Sequence, residues 1–180
     1  MNPIIITGFM GCGKTEVARR LAVRLGLQMI DLDHEIAERE GRTAAQLIID
    51  EGEAAFRVIE TATLRELLEG GIVRVIALGG GAWITEANRS LIRESQGITV
   101  WLDAPFELCW QRIEASPEVR PLGRSREQAA QLYSARQPVY QLAAIRVPVI
   151  AGEPLENLID RLETEVKTQE AQEAQKAQEL

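Results

Sequence analysis

The chain has 180 residues, 46% of them hydrophobic and 26% charged, the make-up of a soluble globular protein long enough to bury a core. Its 20 Lys and Arg against 27 Asp and Glu leave a net charge of −7, which argues against nucleic-acid binding and requires any anionic ligand to be held by a local cluster of cations. No apolar run reaches the roughly 20 residues of a membrane span, the first strand starts too early to leave room for a leader, and the two cysteines, Cys12 and Cys109, make no disulfide framework, so a cytoplasmic protein is expected.

In chain order, short β-rich runs alternate with helical patterns. Strands are predicted at 3–7 (PIIIT), 27–32 (LQMIDL), 73–78 (VRVIAL), 98–102 (ITVWL) and 145–150 (IRVPVI). The runs are nearly continuously apolar, as in parallel strands covered on both faces. Between the first two, TEVARRLAVRLG spaces Val17, Leu21 and Leu25 along one helix face and stops at Gly26. A second helix carries Phe56, Ile59, Leu64 and Leu67, and Pro105 suits the first turn of a third. Strands alternating with helices predict a single α/β domain with a parallel sheet. Two segments depart from the rhythm. Residues 115–128 (ASPEVRPLGRSREQ) read as a long exposed loop, and 169–180 (QEAQEAQKAQEL) as a solvated helix extension or disordered tail. The expected division is a domain over 1–162 followed by a polar extension over 163–180.

The stretch GFMGCGKT, residues 8–15, lies between the first strand and the first helix. A glycine-rich loop there lets backbone N–H groups converge on phosphate oxygens at the positive end of a helix dipole. Gly8 and Gly13 have the P-loop spacing, with Gly11 and Cys12 between them. Lys14 is placed to reach the β- and γ-phosphates and Thr15 to ligate Mg²⁺. A nucleoside triphosphate is therefore the expected ligand. A switch GTPase would need an NKxD stretch, which is absent, and a motor ATPase an acidic strand end where this chain instead runs into Gly79, Gly80 and Gly81. Those glycines expose backbone N–H groups where side chains would obstruct a ligand.

Asp31 and Asp33 lie two apart at the end of the second strand, where an extended chain points both carboxylates at one site; helix capping by Asp33 is the structural alternative. His34, the only histidine, reads as exposed and non-catalytic. Arg57, Arg120 and Arg136 are scattered cations that, taken singly, read as surface charges.

Taken together, GFMGCGKT, IDLDHEI, GEAAFRVIE, LGGGA, VRPLG and RQPVY resemble the shikimate kinase family in order and spacing, from about residue 3 to about residue 160. The resemblance implies a nucleoside-monophosphate-kinase-like fold, a five-stranded parallel sheet in the order 2-3-1-4-5 with a mobile lid at about 115–128. It also implies transfer of the ATP γ-phosphoryl group to the 3-hydroxyl of shikimate, on the way to chorismate and the aromatic amino acids. Residue by residue, it assigns Gly11, Cys12, Gly13, Lys14, Thr15 and Glu16 to the nucleotide, and Thr15 and Asp31 to Mg²⁺, Asp31 through water. Asp33 binds the shikimate hydroxyls and accepts the attacking proton. Arg57 and Arg136 grip the carboxylate with the planar forks that lysine lacks. One or more of Gly79, Gly80 and Gly81 offers its backbone to the same ligand, Arg120 reaches the phosphates from the lid, and Arg112 packs on adenine. The partners implied are shikimate and ATP, with no nucleic acid and no membrane, and a monomer is expected. Another small-metabolite kinase of the same fold, gluconate-kinase-like, and a non-catalytic nucleotide-binding regulator are the rival expectations.

Overall fold

The branched aliphatic runs become strands because β-branched side chains pack well on a pleated surface and poorly in a helix. In this computed structural model, which describes residues 2–71, 74–116 and 125–178, they are β1 (Ile4–Thr7), β2 (Gln28–Asp31), β3 (Arg74–Ala77), β4 (Ile98–Asp103) and β5 (Ile145–Pro148). All pair in parallel, in the order β2-β3-β1-β4-β5. The sheet expected from the sequence is the sheet observed. In the central strand, Ile5 sits opposite Ile76 of β3 and Thr99 of β4, and Ile4, Ile5 and Ile6 are fully buried. Each such side chain contributes about 1.5–3 kcal/mol when removed from water.

Eight helices cover the sheet among the described residues: α1 (Lys14–Leu25), α2 (Leu32–Glu40), α3 (Ala44–Glu51), α4 (Glu53–Glu69), α5 (Glu86–Glu94), α6 (Phe106–Glu114), α7 (Arg126–Tyr140) and α8 (Leu155–Gln178). On α1, Val17 and Leu21 are buried as their spacing demands, and Gly26 ends the helix in the left-handed conformation. Pro105 stands at the N-cap of α6, just ahead of the first turn.

Three expectations need correction. Asp31 and Asp33 are not alternating residues of one extended strand. β2 ends at Asp31, whose Oδ1 caps α2 by accepting from the backbone N–H of Asp33 (3.0 Å) and His34 (3.2 Å), so the cap is Asp31 and Asp33 lies in the first helical turn. β5 alternates buried and exposed residues instead of being covered on both faces, because it is the edge strand; exposed Arg146 reaches back to Asp103 of β4 at 2.8 Å. The exposed loop is shorter than 115–128, since Ser125 caps α7 and residues 126–128 are helical. The rest of that segment's centre, Arg120 included, lies outside the described residues.

The loops after β1, β2 and β3 all leave the same carboxyl edge of the sheet. Strand order reverses at β1, with β3 on one side and β4 on the other. Open α/β sheets form their ligand crevice at that reversal.

Candidate active site

The loop after β1 turns sharply and packs against α6. Gly11 has φ 77°, and a Cβ there would come within 2.6 Å of the Cys109 carbonyl. Gly13, the N-cap of α1, has φ 103°. Both positions therefore exclude a side chain. Cys12 is buried beneath the loop, and its thiol is turned away from the cleft. Lys14 folds its ammonium onto the loop, donating to the carbonyls of Gly8 (3.0 Å) and Phe9 (2.9 Å). Thr15, next in α1, donates its hydroxyl to Oδ2 of Asp31 at 2.6 Å. Glu16 turns its carboxylate to Arg19 and Arg20 along the helix, leaving its backbone at the loop. Arg112, reaching across from α6, donates from Nη1 to the carbonyls of Gly11 and Cys12, each at 3.1 Å.

The opposite wall comes from α2, α4, α7 and the glycine triplet. Arg57 follows Phe56 on α4 and is fixed at both ends of its fork. Nη1 donates to Oε1 and Oε2 of Glu60 (2.9 and 3.0 Å), and Nη2 to Glu53 (2.9 Å). Arg136, on α7, is buried and donates from Nη1 to the carbonyl of Gly80 at 3.0 Å. The triplet has a role that the sequence did not disclose. A Cβ on Gly79 would collide with the Asp33 carboxylate, and one on Gly81 with the Arg57 guanidinium, whereas Gly80 has room beside Met10. The glycines at 79 and 81 are needed so that the protein's own acid and base can lie across the turn.

These parts enclose one cleft of about 1000 Å³. Every expected site residue that is described lines it, apart from buried Cys12. In a chain of net charge −7, the cleft gathers Lys14, Arg57, Arg112 and Arg136, alongside the carboxylates of Glu16, Asp31, Asp33 and Glu60. His34 stands at its rim, exposed as expected.

Comparison with known proteins decides among the kinases of this fold. The sequence model of the shikimate kinase family matches residues 10–167. The chain belongs to the shikimate kinase family. It is 40% identical over 168 residues to a shikimate kinase of Geobacter sulfurreducens, covering 91% of this chain and 90% of that one. To a shikimate kinase of Ruegeria pomeroyi it is 38% identical over 162 residues, covering 88% and 82%. Among solved structures, the shikimate kinase of Acinetobacter baumannii in complex with shikimate superposes with a TM-score of 0.84 at 32% identity, with 94% of each chain covered.

One residue of this cleft and two that support it from behind were not singled out from the sequence. Glu60 is fully buried, and burial pushes its carboxyl up to about 7 against the opposing pull of Arg57, with Asp33 adding to the rise. Its signal was present: it falls one helical turn beyond Arg57, on the same face. Asn88 of α5, also buried, donates to the Ala82 carbonyl at 2.9 Å and to Glu60 at 3.5 Å, and accepts from the Thr61 hydroxyl at 2.7 Å; nothing in its surroundings in the sequence marked it. Tyr140 donates to the Gly80 carbonyl at 2.7 Å. It closes the RQPVY stretch, whose arginine is Arg136.

Proposed function

We propose that the chain carries out ATP-dependent phosphorylation of shikimate at its 3-hydroxyl, with the two halves of this cleft dividing the work. As a member of the shikimate kinase family it is a transferase that uses ATP and shikimate. The observation that carries the division of roles is that a phosphate loop and two anchored arginine forks, half-buried Arg57 and buried Arg136, line one cleft together with Asp33.

On this reading the N–H groups from Gly11 to Glu16 cradle the phosphates at the start of α1. Lys14 leaves its carbonyl partners and follows the negative charge onto the β- and γ-phosphates. Arg112 lies beside the adenine end, and Arg120, outside the described residues, keeps the role on the phosphates that the family resemblance gives it. Arg57 and Arg136 hold the shikimate carboxylate, with backbone from the 79–81 turn beside them. Asp33 accepts the proton of the 3-hydroxyl as that oxygen attacks the γ-phosphorus. The bond from phosphorus to the β,γ-bridging oxygen breaks and ADP leaves with the electron pair. Positioning and charge stabilisation do nearly all of the work, because the transition state asks little covalent chemistry of the protein.

Thr15 and Asp31 suit a Mg²⁺ ion. They are hard oxygen donors held 2.6 Å apart at the mouth of the loop. No group of three or more ligating side chains occurs among the described residues, as fits an ion held mainly by substrate phosphates and water. Bound there, Mg²⁺ would neutralise charge on the phosphate oxygens. We also propose a cytoplasmic monomer, with residues 1–162 as the catalytic domain and 163–180 as a polar extension. Two free cysteines suit a reducing compartment, and no described helix is long and apolar enough to cross a membrane. An assay of ADP release with shikimate, gluconate and nucleoside monophosphates as competing acceptors tests the reading: turnover on shikimate alone supports it, and turnover only on gluconate or on none overturns it.

A further inference from the structure

The Gly80 carbonyl accepts two hydrogen bonds from α7, one from Arg136 Nη1 at 3.0 Å and one from the Tyr140 hydroxyl at 2.7 Å. Two donors use both lone pairs of a carbonyl oxygen and fix its direction. The peptide unit between Gly80 and Gly81 is planar and trans, so the N–H of Gly81 must point the opposite way. The carbonyl faces α7; the N–H therefore faces away from it, on a residue that lines the cleft and borders the Arg57 guanidinium. Among the described residues that N–H donates to no backbone carbonyl. The same carbonyl orients Arg136, whose guanidinium also lies against the Tyr140 hydroxyl.

Glycine carries no side chain to hold its own peptide plane, and three in a row leave the turn at 79–81 the greatest freedom to rotate. Something outside the turn has to fix it. Tyr140 is built for this. It is fully buried, and its ring stacks on Trp101 of β4 with centroids 6.2 Å apart and planes at 20°. Burial pushes its phenol up from the ordinary tyrosine value, so it stays a protonated donor. A second tie acts nearby: Trp83, just after the triplet, donates Nε1 to the Val139 carbonyl of α7 at 2.9 Å.

We propose that Tyr140 is a positioning residue for carboxylate recognition: its hydroxyl locks the Gly80–Gly81 peptide so that the Gly81 N–H and the Arg136 fork converge on one substrate carboxylate. This rests on the function proposed above and adds to it which atom outside the ligand contacts sets their geometry. Tyr140 does not touch the substrate.

The test is Tyr140→Phe in the full chain, which keeps the ring on Trp101 and removes only the donor. The shikimate KM should rise about 3- to 10-fold, the scale of one neutral hydrogen bond, with kcat and the ATP KM within about twofold of wild type. For a shikimate analogue with its carboxylate reduced to an alcohol, kcat/KM should change less than twofold. An unchanged shikimate KM, or equal losses for shikimate and the alcohol, overturns the proposal. Should the phenylalanine variant not fold, 4-methylphenylalanine at position 140 fills the same volume without donating and replaces it in every arm. If that also fails to fold, Tyr140 belongs to the fold and the proposal is wrong. A wild-type enzyme inert toward shikimate would instead sink the proposed function.

Discussion

Glu60 holds Arg57 by both carboxylate oxygens on a single guanidinium nitrogen, at 2.9 and 3.0 Å, while itself being shut away from solvent. A buried carboxylate one turn from the arginine that would grip the substrate sets that arginine's direction before any ligand arrives. It also makes the cleft sensitive to pH. Burial raises the Glu60 carboxyl from 4.5 to about 7. The folded state therefore holds this proton more tightly than the unfolded state does. The group favours folding fully below about 4.5, and that contribution is lost as pH rises toward 7. Melting curves of wild type and Glu60→Gln should show it as a difference. The gap between the two melting temperatures should shift against wild type as pH rises from 4.5 to about 7 and level off above. A constant gap across that window would mean that Glu60 is ionised throughout.

Lys14→Ala should abolish turnover with the fold intact. In the free protein the ammonium bonds the carbonyls of Gly8 and Phe9 and touches the Cys12 sulfur, all within its own loop, so its loss costs little stability. On the proposed mechanism it is the cation that follows charge onto the transferred group. ADP release together with a circular dichroism melt checks both halves. Activity near that of wild type would dissociate this loop from the nucleotide.

Asp33→Asn keeps size and most hydrogen bonding but removes the base. The rate constant kcat should fall on the order of 10²-fold or more, with a smaller change in shikimate KM. Steady-state kinetics at saturating ATP separates the two, and a loss confined to KM would make Asp33 a binding residue only.

Arg57→Lys and Arg136→Lys should each weaken shikimate binding by roughly 10- to 150-fold, corresponding to about 1.5–3 kcal/mol for a charge-assisted bond. Lysine keeps the charge but cannot make the paired contacts. ATP binding measured without shikimate should hardly change. The alcohol analogue should bind wild type poorly and lose little further in either variant, because the partner is already gone.

The glycine triplet gives a graded prediction. Gly79→Ala drives a methyl into the Asp33 carboxylate, and Gly81→Ala drives one into the Arg57 guanidinium. Gly80→Ala meets only Met10, its nearest atom at 3.4 Å. Activity should therefore fall much further at 79 and 81 than at 80, with kcat more affected at 79 and shikimate KM at 81. Equal effects at all three positions would return the triplet to a simple need for backbone exposure.

The sequence alone determined what is local. Apolar runs of strand length alternating with amphipathic helices specify a parallel sheet, because such strands can be satisfied only with helices laid on their faces. Gly8, Gly13, Lys14 and Thr15 fall within one strand-loop-helix turn, so their arrangement follows from spacing. The arginines were legible only as members of an ordered set of motifs, since a charged residue carries no local sign of where it points.

What tertiary structure decided is everything set by contact between distant segments. Asp33 and Gly79 meet because β2 and β3 are neighbours in the sheet, and only that adjacency shows what a Cβ at 79 would run into. Glu60 is shifted because packing of α4 takes its carboxyl out of water, against the hydrogen bond from Asn88 of α5, which pulls the other way. Tyr140, which looked like the end of an arginine motif, reaches Gly80 across 60 residues of chain. Periodicity reports which face of an element is apolar. It does not report which polar group a buried side chain will find there, because that partner is chosen when the layers pack.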